Sequence, residues 1–334
     1  MATMSGVRDS ASVDEATDDG SEYFMPKPVM LYDVVKLKVW LHDHYYIFSR
    51  FLMSRLLQSV GLPHEDSIEI SILLKKHLVD QRIFEVKREA MEEALFKIMA
   101  SKGFGDKYIS NFRMLARFNE HHVPVVILIC GGFSTGKSAL ALSLSERLNI
   151  PNVLQTELVF EMIHIVLGGD RDTRPCWLQV HSDMDAFLQK YTEECDMVKK
   201  AIDGDIKKAF SDGKSIIIEG QHINPSLIQS VMAQATGKEA LIIPFLIEMN
   251  PKENKILLEQ RFNSMPVSVS KFAADLETLR KNNDAILQVL RSFFNNRHPI
   301  ICVDLHSTEA TINDMHALVL SQIQKTVNRL EDTH

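Results

Sequence analysis

Apolar residues fall into two regimes along this chain. Between residues 26 and 119 they recur mostly at helical spacing. From residue 120 onward, short continuous apolar runs alternate with amphipathic stretches. The runs are Val125-Val126-Ile127-Leu128-Ile129-Cys130, Val153-Leu154, Ser215-Ile216-Ile217-Ile218, residues 241–247 and Ile300-Ile301-Cys302-Val303. A run apolar at every position, rather than every second one, is what a strand covered on both faces requires. Helices are expected from Ser138, from the Glu157 region to about Leu167, over residues 182–211 and 251–262, onward to about Phe294, and over 308–330. This alternation predicts an α/β domain over 120–334, with a parallel five-stranded sheet and helices on both faces. A site in such a sheet belongs at the carboxyl ends of the strands.

The preceding block, 26–119, reads as a small, mostly helical domain with a β element. Residues 34–40 alternate enough for a short strand, and His42-Asp43-His44 for a turn. Ser49 is a suitable N-cap for a helix over 50–60, which Gly61 would stop. Further helices are expected after Pro63, over 86–99 and over 108–118, with Gly103 and Gly105 as breakers. Residues 1–25 carry six acids against one base, and little to bury, so an acidic disordered tail is expected.

Composition changes the picture little. The chain has 334 residues, 45% of them hydrophobic and 24% charged, ordinary values for a globular protein. A net charge of −7 argues against electrostatic nucleic-acid binding. Cys130, Cys176, Cys195 and Cys302 have neither metal nor disulfide spacing. A reducing, cytoplasmic compartment is the default, with Cys130 and Cys302 as small buried apolar residues. No apolar run approaches a membrane span, and no signal pattern opens the chain. His42, His44 and His64 lack fixed ligand spacing and read as turn and surface residues.

The chemistry enters after the first apolar run. Gly131-Gly132-Phe133-Ser134-Thr135-Gly136-Lys137-Ser138 is a G-x-x-x-x-G-K-S loop between an expected strand and an expected helix. In that setting the glycines admit positive φ, and the loop N–H groups and helix N-terminus converge on an anion. Lys137 would reach the β- and γ-phosphates of a nucleotide, and the Ser138 hydroxyl would ligate Mg²⁺. ATP and Mg²⁺ are therefore the expected cofactors.

The strand ends supply the other candidates. Glu219 follows three isoleucines, where a carboxylate can reach the metal or its water. Glu157 either faces a phosphoryl acceptor beside the γ-phosphate or caps the following helix. His222, Asn224 and Arg174 are candidate acceptor contacts, or residues that satisfy their own loops. Arg261 and Arg280 bracket a loop at 264–270, where a lid would bring cations onto transferring phosphate. Singly, each could equally be a solvated arginine.

Together these residues resemble a known family. Gly103-Phe104-Gly105-Asp106-Lys107-Tyr108-Ile109-Ser110, Val123-Pro124-Val125, the phosphate loop, Leu148-Asn149-Ile150-Pro151-Asn152-Val153-Leu154-Gln155-Thr156 and Asp212-Gly213-Lys214-Ser215-Ile216-Ile217-Ile218-Glu219-Gly220-x-His222 look like the 2-phosphoglycerate kinase family. The likeness is strongest to its plant-type P-loop branch, which is linked to low phytic acid. Tyr46-Ile47-Phe48-Ser49-Arg50 onward to Gly61 is similar to the ATP-cone module that precedes the kinase in that family. The likeness covers about residues 30–300. It implies Mg²⁺-ATP phosphoryl transfer to a small acid or polyol and, for the plant-type branch, a role in inositol phosphate metabolism. Two departures stand out. The family usually has Thr-Asp where this chain has Thr156-Glu157, and the plant-type loop usually differs at Phe133-Ser134-Thr135. Plant-type members are also longer, so a C-terminal extension is expected to be lacking. The leading expectation is a kinase acting on a small phosphorylated or polyol substrate. A regulatory nucleotide-binding protein with little transfer chemistry is one alternative. A nucleotide or polynucleotide kinase on the same scaffold is another, against which the acidic balance weighs.

Overall fold

The computed structural model describes residues 34–167, 174–264, 275–304 and 307–332. The acidic tail and most of the loops expected at 168–175 and 264–270 lie outside the described residues.

The described residues form two sheets. In the first, β1 (Lys38–Leu41) and β2 (His44–Ile47) make an antiparallel hairpin, and β3 (Glu85–Lys87) pairs with β1 in parallel. His42 takes φ 53 in the hairpin turn, where a left-handed residue suits the strands' twist. The described helices of this block are α1 (Arg50–Val60), α2 (His64–Asp80), α3 (Arg88–Ser101) and α4 (Asp106–Glu120), of which α3 packs on β1 and β3. The Ser49 side chain accepts from Leu52 N, and Gly61 ends α1 at φ 108.

The second sheet holds β4 (Val125–Gly131), β5 (Val153–Gln155), β6 (Ile216–Glu219), β7 (Leu241–Met249) and β8 (Ile300–Val303). All pairings are parallel, in the order β5-β6-β4-β7-β8. The chain runs from β4 to one edge and back through β6, then to the other edge through β7 and β8. The direction reverses around β4, and that makes its carboxyl end the switch point of the sheet. Helices α5 (Lys137–Leu148), α6 (Thr156–Leu167), α7 (Met184–Asp212), α8 (Pro225–Ala235), α9 (Pro251–Asn263), α10 (Leu276–Phe294) and α11 (Thr308–Glu331) connect and cover it.

Every residue of β4 is buried, and successive side chains enter different cores. Val125, Ile127 and Ile129 join α5, α11 and the N-terminal helices in one apolar cluster. Val126, Leu128 and Cys130 join α7, α8 and α10 in another. This is the physical reason the strand is apolar at every position. The first cluster runs without interruption from Leu37 of the N-terminal block to Leu330 of α11, so the two sheets share a core.

Several expectations change. β2, β3 and α8 were not anticipated, and residues 86–87 are strand rather than helix. Cys302 is exposed, not buried, because β8 is the sheet edge and its outward side chains lack a cover. His42, His44 and His64 are exposed. Among the described residues no helix is long and apolar enough to cross a membrane.

Candidate active site

The loop after β4 is shaped by contacts from distant elements. Gly131 has φ 152, and a Cβ there would lie 2.2 Å from the Ile247 carbonyl oxygen of β7. Only glycine fits at that position. Asn283 of α10 accepts from Phe133 N at 2.7 Å, and Asn254 of α9 donates to Phe133 O at 2.7 Å. These two amides, of which Asn283 is buried, tie the loop to α9 and α10. Thr135 Oγ1 and Lys137 Nζ both donate to Gly132 O, at 3.0 and 2.8 Å. Lys137 is 7% exposed. Burial lowers its pKa, opposed by the carboxylates of Glu157 and Glu219 nearby.

Glu219 ends β6, beside the loop strand, in register with Ile129. It is 1% exposed, and its carboxylate oxygens meet no donor among the described residues other than the Ser138 hydroxyl. Burial raises its pKa, the adjacent Ser138 hydroxyl and Lys137 lower it, and Glu157 raises it further. A buried acid with so little to satisfy it beyond the Ser138 hydroxyl is costly on its own. Paired with the Ser138 hydroxyl at a phosphate loop, it is a fitting donor set for a hard cation that also takes phosphate oxygens and water. No cluster of three or more His, Cys, Asp or Glu suited to a metal occurs among the described residues, so Mg²⁺ would depend on the nucleotide for further ligands.

Glu157 lies in the first turn of α6, two residues past the end of β5. Its Oε1 accepts from Gln221 N at 2.8 Å and its Oε2 from Thr156 Oγ1 at 3.2 Å. It therefore braces the turn after β6 and also lines a cleft of about 540 Å³. Gly220 in that turn has φ 142, and a Cβ would meet Thr156 Oγ1 at 1.9 Å and Glu157 Oε2 at 2.3 Å.

His222 is corrected by its surroundings. It is fully buried, its ring 4.9 Å from both Phe160 and Trp177, and Nδ1 is 3.3 Å from Thr156 Oγ1. Burial drops its pKa to about 3, which leaves it neutral. It supports the wall behind the cleft and does not line it. Asn224 caps α8 through Leu227 N at 2.9 Å. Arg280 is likewise turned away: its guanidinium pairs with Glu259 of α9 and does not line the cleft. Arg261 does line it, and also a second cavity of about 600 Å³ that shares Ser134, Thr135 and Gly136 with the cleft and is walled by Leu140, Leu257 and Val303. Arg174 opens the segment that leads into the cleft wall, and its carbonyl accepts from Gln179.

Sequence reasoning missed that wall. Trp177 sits in a 3₁₀ turn (Cys176–Leu178) whose Cys176 N is held by the buried carboxylate of Glu194, at 3.0 and 3.1 Å. Asn282 donates to Trp177 O at 3.2 Å, and the indole lies 5.4 Å from the Phe133 ring. Gln221 was missed too, although it stands two residues beyond a strand-end acid. A larger cavity, about 1110 Å³, lies elsewhere, among α1, α4 and α11, and holds no phosphate-loop residue.

Comparison with known proteins accords with this geometry. No protein-family model matches the chain. The 2-phosphoglycerate kinase of Methanopyrus kandleri is 21% identical over 293 residues, 83% of this chain and 85% of its own. That of Pyrococcus furiosus is 22% identical over 296 residues, 85% of this chain and 95% of its own. A solved sugar kinase from Janibacter sp. HTCC2649 covers 61% of this chain and 98% of its own, at 13% identity and a TM-score of 0.37, too loose a likeness to weigh on function. With kinase relatives along more than four-fifths of its length and a phosphate loop at the switch point, the chain has a P-loop-kinase-type α/β fold.

Proposed function

We propose that this protein transfers the γ-phosphoryl group of Mg²⁺-ATP to a hydroxyl group of a small metabolite. The observation that carries this reading is the buried carboxylate of Glu219 beside Lys137 and Ser138, in the lining of a cleft. The loop from Gly131 to Ser138 (Gly132, Phe133, Ser134, Thr135 and Gly136 between) would wrap the phosphates, and the 600 Å³ cavity would take the nucleoside. Ser138 and Glu219 would hold Mg²⁺, which when bound neutralises charge on the β- and γ-oxygens. Lys137 adds a fixed positive charge at the same oxygens. Arg261, at the boundary of the two cavities, faces the region of transfer. The acceptor oxygen attacks γ-phosphorus, the bond from γ-phosphorus to the β,γ-bridging oxygen breaks, and ADP leaves with the electron pair. Glu157 would accept the hydroxyl proton late in transfer and pass it to solvent. Arg280 would act only by holding Glu259, and thereby α9, in place.

The relatives' names make 2-phosphoglycerate the first acceptor to test. The link to inositol phosphates and an ATP-cone role for the N-terminal helices rest on sequence resemblance alone. The test is incubation of purified protein with γ-labelled ATP, Mg²⁺ and a panel of phosphoglycerates, polyols, inositol phosphates and nucleosides. Mg²⁺-dependent labelling of a small acceptor is expected, and its absence across the panel with ATP bound would favour a regulatory nucleotide-binding protein.

A further inference from the structure

Two neighbouring asparagines bind two parts of the cleft to one helix. Asn282 and Asn283 stand on the buried face of α10, among Leu279, Ile286, Leu287 and Leu290, and are 4% and 2% exposed. Asn282 Nδ2 donates to the Trp177 carbonyl at 3.2 Å, and Asn283 Oδ1 accepts from the Phe133 N–H at 2.7 Å. Consecutive helical residues point about 100° apart, so a single turn of α10 reaches two elements distant from each other in the chain. Asparagine is a poor helix former, and a buried amide is costly unless bonded. Two in succession on an apolar face are held there by the bonds they make.

The groups they hold belong to the two halves of the site. Phe133 is part of the phosphate loop and Trp177 part of the cleft wall, and both line the cleft with ring centroids 5.4 Å apart. Phe133 O accepts from Asn254 Nδ2 of α9 at 2.7 Å, and Asn283 Nδ2 reaches Asn254 Oδ1 at 3.5 Å. Amides from two helices therefore clamp Phe133 at both its N–H and its carbonyl. Gly132 makes room for the clamp, since a Cβ there would lie 2.7 Å from Asn283 Oδ1. The carbonyl of Gly132 in turn takes Lys137 Nζ. On the other side, Trp177 follows Cys176, whose N–H the Glu194 carboxylate holds.

We infer that Asn282 and Asn283 are positioning residues for phosphoryl transfer, and that together they set the distance between the phosphate loop and the wall that seats the acceptor. This rests on the kinase reading above, in which the loop fixes γ-phosphorus and the wall fixes the attacking hydroxyl. A misplacement of about 1 Å between reacting groups costs on the order of 10²-fold in rate. When a tie to α10 is lost, each half keeps its own binding contacts and their alignment goes. Water then takes the acceptor's place at γ-phosphorus. Inorganic phosphate leaves beside ADP, and the proton of the water passes to solvent.

The test follows two products of the full chain, phosphorylated acceptor and inorganic phosphate, with Mg²⁺, γ-labelled ATP and 2-phosphoglycerate or whichever compound of the panel above wild type labels fastest. Asn282→Ala and Asn283→Ala should each lower kcat for transfer about 10- to 100-fold, keep the ATP KM within about threefold, and raise the share of ATP lost to inorganic phosphate several-fold. Because the two ties act as one bracket, the double variant should fall within about threefold of the weaker single one, whereas independent residues would multiply their losses. Multiplied losses overturn the inference. So does a lower Tm with kcat and the share of hydrolysis unchanged, the mark of a purely structural role. A loss confined to the ATP KM also overturns it, and leaves Asn283 a brace for nucleotide binding. Should the buried variants fail to fold, Asn254→Ala, at a half-buried position of α9, loosens the same clamp and decides by the same ratio of products. A wild type that labels no compound of the panel overturns the kinase reading and this inference together; a wild type that labels one, with variants that match it, overturns this inference alone.

Discussion

Glu219→Gln separates function from stability more sharply than any other single change. In the nucleotide-free protein the carboxylate is 1% exposed, and the Ser138 hydroxyl is the donor that acts on it. An unpaired neutral polar group in such a place costs about 1–3 kcal/mol, and a charged one more. The amide keeps the neutral cost and removes the excess. Lys137, which loses one nearby carboxylate, keeps Glu157. We expect a net gain of about 1 kcal/mol, which raises Tm by roughly 2 °C for a chain of this size. The pH dependence carries the same sign. A carboxyl whose pKa is raised in the folded state binds its proton more tightly there than in the unfolded chain. It therefore favours folding at low pH and loses that advantage as pH rises through the carboxylate range. The Tm difference between variant and wild type should be largest near pH 7 and shrink toward pH 4. Turnover should move the other way, by about 10²–10³-fold, the size of one lost electrostatic contact at developing charge. ATP affinity should change only a few-fold. Thermal melts without nucleotide at several pH values, ATP titration calorimetry and steady-state rates read all three. A lower Tm together with equal losses in ATP binding and turnover would refute the argument and make Glu219 a structural strand-end residue.

Other changes test the neighbouring residues. Lys137→Ala should abolish calorimetrically detectable ATP binding without lowering Tm, because its ammonium is buried and its bond is to a loop carbonyl; wild-type affinity would undo the phosphate-loop assignment. Glu157→Gln keeps an oxygen for the Gln221 N–H. It should hold stability within about 0.5 kcal/mol while it cuts acceptor kcat/KM tenfold or more; a variant with normal acceptor kinetics would reduce Glu157 to a brace for the turn. His222, held neutral with a pKa near 3 against an ordinary 6.5, takes a proton more readily when unfolded. Stability should fall by about 1.4 kcal/mol per pH unit from pH 6.5 downward, about 5 kcal/mol by pH 3. Urea unfolding of wild type and His222→Asn between pH 7 and 5 should show a flatter profile in the variant, and parallel profiles would contradict the account.

The sequence by itself determined those features in which neighbours along the chain set the physics. The unbroken apolar run of β4, the loop glycines and the helix after Lys137 are all local, and so were legible without coordinates. The same holds for Ser49 and Gly61 at the two ends of α1 and for the parallel sheet as a class. Short strands such as β2 and β3 were not legible, because their few residues gain stability only from each other across the sheet. Burial at an edge was not legible either: Cys302 sits in an apolar run like Cys130, and strand order alone exposes one and buries the other. The acceptor side of the cleft depends most on tertiary structure. Whether His222 or Gln221 lines it follows from where Phe160, Trp177 and Tyr191 pack, and the loop is held by Asn254 and Asn283, more than a hundred residues away. A hydrogen bond between groups that far apart leaves no periodicity to read, because its geometry exists only once the sheet and its helices have closed around it.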